Sequence, residues 1–123
     1  MSVPAVAERF LAALRAGDVD AARACCRADL AVWHNYDGKT QTLDENMALM
    51  AWMGKRCRER RYLVRRLEPI EGGYLQQHTL ELVLSDGTEA SAEAVAIVSV
   101  EDDRITRIEE YIDAGALSAL TGS

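Results

Sequence analysis

From Arg61 onward the chain alternates apolar and polar residues with a period of two, in four long runs: Arg61 to Ile70, Tyr74 to Leu84, Glu89 to Val100 and Arg104 to Ile112. Such alternation marks strands that bury one face. The runs are separated only by Glu71-Gly72-Gly73, Ser85-Asp86-Gly87-Thr88 and Glu101-Asp102-Asp103. Connections that short cannot carry the chain back along a sheet, so neighbouring runs must pair antiparallel. The second half is therefore predicted to be a four-stranded meander, whose apolar face other elements have to cover.

The first sixty residues supply that cover. Val6, Phe10, Ala13 and Leu14 share one face of a helix with Pro4 in its first turn and Gly17 just past its end, where a left-handed cap is wanted. Asp18 is placed to cap a second helix, with Val19, Ala22, Cys25 and Cys26 turned toward the first. Leu30 to Tyr36 has the branched and aromatic content of a strand and is closed by Asp37-Gly38. Thr42 and Glu45 make a capping box for a third helix, on which Leu43, Met47, Met50 and Cys57 fall near one stripe, widened by Trp52 and Met53. The order helix, helix, strand, helix and meander predicts an α+β fold: a cone-shaped roll of three N-terminal helices packed on a curved, mostly antiparallel sheet. Residues 1–123 form one domain in this reading, with a pocket between helices and sheet.

Charge and composition remove several function classes. A net charge of −6 gives no overall positive field to draw in a polyanion, so no nucleic-acid partner is expected. No apolar run approaches the ~20 residues of a membrane span, and the start lacks the basic, apolar and small-residue segments of a secretory signal. Three cysteines are an odd number, and a disulfide between the adjacent Cys25 and Cys26 would be strained, so all three read as reduced thiols in a cytoplasmic protein. Two histidines with no Cys or carboxylate at ligand spacing speak against a metal site. With no glycine-rich phosphate loop and no nucleophile elbow either, no cofactor is expected.

The element order, the early run Leu14-Arg15-Ala16-Gly17-Asp18-Val19-Asp20-Ala21-Ala22 and the late spacing Ile105-x-x-Ile108-x-x-Tyr111-x-Asp113 resemble the nuclear transport factor 2-like superfamily, and within it the SnoaL-like group. The resemblance spans nearly the whole chain. It implies chemistry inside the cone and, for many members, homodimers through the outer sheet face. Asp113 falls where SnoaL-type cyclases and limonene-type epoxide hydrolases keep a catalytic aspartate. Trp33 and Asn35 fall where those hydrolases hold a water with a tyrosine and an asparagine, and His78 lies at or next to their arginine. Leu80 replaces the companion aspartate, so the hydrolase set is incomplete. Asn35 also stands near the place of the ketosteroid isomerase base, and an alanine near Ala96 takes the place of that enzyme's protonated aspartate.

The candidate catalytic set is thus Asp113, His78 and Asn35, with Trp33, Tyr36, Trp52, Tyr111 and Met50 as pocket walls. Alternation puts Trp33 and His34 on opposite sheet faces, and the expectation places Trp33 and Asn35 inside. A carboxylate in an apolar cleft gains a raised pKa and can exchange protons near neutrality. Two functions follow. One is a cofactor-independent lyase or isomerase working by proton transfer, aldol-type cyclisation or dehydration on a hydrophobic carbonyl compound. The other is a non-catalytic ligand-binding or dimeric interaction module. The expected partners are a small hydrophobic or weakly anionic ligand and a second copy of the chain. Lys55, Arg56, Arg58, Arg60, Arg61, Arg65 and Arg66 form either a solvated face or a mouth that attracts an anion.

Overall fold

The computed structural model describes residues 2–118. Helix α1 spans Ala5–Ala16 and α2 Val19–Ala24. Strands β1 (Cys26–His34) and β2 (Thr40–Gln41) precede α3 (Leu43–Arg56). The meander follows as β3 (Cys57–Ile70), β4 (Gly73–Leu84), β5 (Glu89–Glu101) and β6 (Arg104–Ile112), and a short 3-10 turn covers Ala114–Leu117. Among the described residues the strands form one six-stranded sheet in the order β2-β1-β6-β5-β4-β3. All neighbours are antiparallel except β1 and β6. This is the α+β cone that the alternation and the helical stripes predict.

The caps hold as read. Gly17 closes α1 at φ +66°, which a residue without Cβ adopts freely. The Asp18 side chain accepts from the Ala21 amide, and Thr42 and Glu45 satisfy each other's amides at the start of α3. Three details differ. Pro4 stands just before α1 rather than inside it, and the first turn is instead tied down from a distance: Asp103 accepts from the Val6 amide at 2.9 Å and from Arg9 at 2.7 Å. Cys26 belongs to β1, not to α2; the helix ends at Ala24, with Cys25 as its C-cap. The helix α3 passes into β3 without a loop, so the meander begins at Cys57, four residues earlier than the alternation suggests.

The α1 stripe of Val6, Phe10 and Ala13 and the α3 stripe of Leu43, Met47 and Met50 pack on Val32, Tyr74, Val98, Ile105 and Ile108 of the sheet. Each large side chain enclosed there contributes about 1.5–3 kcal/mol. A second cluster, with Leu80, Leu82, Leu84, Ala92 and Ile112, fills the other end of the sheet. Residues of both clusters, Phe10, Val32 and Met50 of the first and Leu80, Ile112 and Met53 of the second, border a space.

Candidate functional site

That space is a cavity of about 570 Å³, within the range of small-molecule sites. Its sheet wall is built in rungs, because residues paired across neighbouring strands point the same way. One rung, Val32, Ile108, Val98 and Tyr74, is apolar apart from a phenol. The next is His34, Glu110, Ala96 and Gln76, and a third holds Ile112, Ala94 and His78. Polar side chains are thus gathered on the strands to either side of β5, and β5 presents only methyl groups between them. That gap exists because β5 carries alanine at 90, 92, 94 and 96.

Glu110 is the acid of this cavity. Burial alone pushes its carboxyl up to about 7, since charge is poorly solvated among apolar walls. Its carboxylate makes no hydrogen bond with another described residue, and it adds to the raised values of the Tyr36 and Tyr62 phenols, for which burial is the larger cause. Tyr62 reaches about 12 despite the opposing Arg60. His34 is 4 % exposed, and its Nδ1 is enclosed without a hydrogen-bond partner among the described residues. His78 is 5 % exposed, has its Nδ1 3.1 Å from Gln76 Nε2 and lies 5.5 Å, ring to ring, from Tyr62. Burial lowers both imidazoles, an effect that Asp37 partly offsets at His34, so both stay neutral near pH 7.

The structure separates the residues singled out from the sequence. His78, Tyr36, Trp52 and Met50 line the cavity. Trp33 and Tyr111 lie on the convex face of the sheet, where their rings meet edge to face at 5.2 Å. The expected phase of β1 is therefore reversed, with His34 inside and Trp33 and Asn35 out. Asn35 is exposed and acts on the backbone: its amide donates to the Glu110 carbonyl at 3.1 Å, and its side-chain oxygen accepts from the Ile112 amide at 2.9 Å. Asp113 is exposed where β6 ends. Its carbonyl accepts from the Ala116 amide, and its neighbours Ile112 and Ala114 line the cavity while it does not.

Glu110 and Gln76 were not singled out from the sequence. A signal for both existed: Glu110 lies two residues from Ile108 and from Ile112, and Gln76 lies two from Tyr74 and from His78. A polar residue in phase with buried neighbours on a strand faces the same side as they do.

The basic segment does not enter the cavity, whose described lining contains no Lys or Arg. Arg61 pairs with Glu59 and Glu81, Arg65 with Glu93 and Arg66 with Glu68. Arg60 rests against Gly17, and Arg56 lies 4.9 Å over the Trp52 ring at the cavity wall. Strand β3 is an edge of the sheet, and charges along it oppose edge-to-edge pairing.

The model of the SnoaL-like domain family matches residues 7–108, a stretch that ends two residues before Glu110. No curated protein matches the chain significantly. Among solved structures, PrhC from Penicillium brasilianum is similar at 15 % identity and a TM-score of 0.84, over 96 % of this chain and 84 % of that one. A protein with a ketosteroid isomerase-like fold from Catenulispora acidiphila, in complex with trimethylamine, gives 13 % identity and 0.82 over 98 % and 95 %. An LEH-like epoxide hydrolase of M. tuberculosis gives 21 % and 0.75 over 98 % and 96 %. At these identities the likeness is one of fold.

Proposed function

The chain belongs to the SnoaL-like domain family, and on that premise we propose that it is a cofactor-independent lyase or isomerase acting on a small hydrophobic carbonyl compound, with Glu110 as its acid/base. The carrying observation is that the Glu110 carboxyl lines a largely apolar cavity with no hydrogen-bond partner among the described residues, where burial pushes it up to about 7. A base so placed is half ionised at neutral pH and can both take and return a proton. In the step it supports, the Glu110 carboxylate removes a proton from carbon next to a carbonyl. The C–H electron pair becomes a C=C bond and the carbonyl π pair moves to oxygen. The Glu110 carboxyl then returns its proton to another carbon, or the enolate closes a ring or expels a leaving group. The lining favours a neutral compound over an anionic one, because its described residues include no Lys or Arg to pair with.

This reading rests on Glu110 rather than on Asp113, whose exposure leaves it in water at the end of β6. Asn35 supports it indirectly, as the clasp on the backbone around Glu110. The test is deuterium exchange into a panel of hydrophobic ketones in D2O, followed by NMR. Glu110→Gln should slow exchange at least about a hundredfold and Asp113→Asn should not; equal rates in parent and Glu110→Gln would overturn the proposal.

A second reading, a non-catalytic binding or dimeric interaction module, is favoured by the ring pair of half-buried Trp33 and exposed Tyr111 on the sheet face away from the cavity. It predicts ligand retention unchanged in Glu110→Gln and a dimer that Trp33→Ala dissociates, read by sedimentation. Three free thiols support a cytoplasmic location.

A further inference from the structure

His78 and Gln76 occupy successive inward positions of β4, each 5 % exposed, with Gln76 Nε2 and His78 Nδ1 3.1 Å apart. A carboxamide nitrogen only donates, so the Gln76 orientation in the structure, with Nε2 toward the ring, pairs with an Nδ1 acceptor and with the single ring proton of a neutral imidazole on Nε2. Among the described residues Nε2 has no hydrogen-bond partner. It is also absent from the enclosed, unpartnered side-chain atoms among the described residues, which comprise His34 Nδ1 alone, so it opens onto the cavity. With Nδ1 occupied, one polar function remains to this ring: an N–H donor aimed at whatever fills the cavity. Across Ala94 and Ala96, two strands away, stands Glu110.

We propose that Gln76 is a positioning residue that fixes His78 as its Nε2–H tautomer, and that His78 therefore serves as the hydrogen-bond donor to the substrate's carbonyl oxygen rather than as a base. The donor role rests on the proton-transfer reading above; the tautomer does not. Division of labour follows from the geometry. Glu110 handles the proton on carbon, and His78 holds the negative charge that builds on oxygen when that proton leaves. A neutral donor suits the task because it need not be desolvated as a cation and loses no proton to an enolate of similar basicity. The substrate is then a neutral ketone or enone whose oxygen lies under β4 and whose acidic carbon lies under β6.

Long-range proton–nitrogen NMR on histidine-labelled protein tests this directly. In the parent, the Nε2–H form of His78 should exceed the Nδ1–H form more than about tenfold, the ratio that one buried hydrogen bond produces. Gln76→Glu, which offers only acceptors, should invert the ratio, and Gln76→Leu should bring the two forms closer if the glutamate variant folds poorly. A predominant Nδ1–H form in the parent overturns the positioning role while leaving the Glu110 reading untouched. Adding 4-phenylcyclohexanone should move the Nε2–H resonance in the parent and equally in Glu110→Gln; no movement overturns the donor role. Unchanged proton exchange in Glu110→Gln would instead sink the acid/base reading and leave the tautomer standing.

Discussion

The side-chain oxygen of Asn35 accepts a hydrogen bond from the backbone N–H of Ile112 at 2.9 Å, although 77 residues separate them. Together with the Asn35 amide, which reaches the Glu110 carbonyl, this extends the parallel pairing of β1 and β6 beyond the last residue of β1. The cavity acid is thereby clasped between two bonds from one residue.

Removing that clasp should be measurable without any substrate. Asn35→Ala leaves the Ile112 N–H without its partner and should lower stability by about 1–2 kcal/mol in urea unfolding. Asn35→Asp keeps an acceptor in place and should recover most of the loss.

The raised carboxyl of Glu110 makes stability depend on pH with a definite sign. Its ordinary value is 4.5 and its folded value about 7, so between the two the folded chain holds more protons than the unfolded one. Stability contributed by this group therefore falls as pH rises through that window, by about 3 kcal/mol. His34 and His78, lowered by burial, act in the opposite sense as pH falls below 6.5. Comparison with Glu110→Gln cancels their contribution. The variant should gain on the parent between about pH 5 and about pH 8, and parallel urea curves at the two pH values would refute the buried-acid assignment.

Ala96 sits between the two polar groups, 7 % exposed on the cavity wall. Ala96→Leu grows into open space rather than into packed core. Folding stability should change by less than about 1.5 kcal/mol, while affinity for a fluorescent apolar probe such as Nile red should fall at least about tenfold. Unaltered probe binding would mean that the probe sits elsewhere.

Thiol chemistry gives an independent check on burial. Cys26 is pushed up to about 12, mainly by burial, and Cys25 and Cys57 are raised for the same first reason. At about pH 8 a disulfide exchange reagent should modify the native chain at least about a hundredfold more slowly than the denatured one. In denaturant all three cysteines should react.

Much of the architecture was legible because it depends on local pattern. The period-two runs, the Gly17 cap, the Asp18 cap and the Thr42–Glu45 box are written in residues close together in sequence, and each is where the sequence puts it. The site was less legible, since it depends on which of two faces a strand turns inward.

Strand β6 shows why. Ile105 and Ile108 are both buried although three residues apart, because the pairing with β5 slips between Ser99 and Val100, and Thr106 is the extra residue opposite that slip. A bulge of this kind shifts the alternation by one. Counted in the phase of Ile105, Tyr111 and Asp113 point into the cone; counted after the bulge, Glu110 and Ile112 do. The same one-residue choice in β1 exchanged His34 for Trp33. By itself the sequence determined that a meander would form, that helices would cover it and that the end of β6 would bring an acid to the pocket. Only the tertiary structure decided which acid, because strand phase is set by hydrogen bonds to a partner strand that the local pattern does not contain.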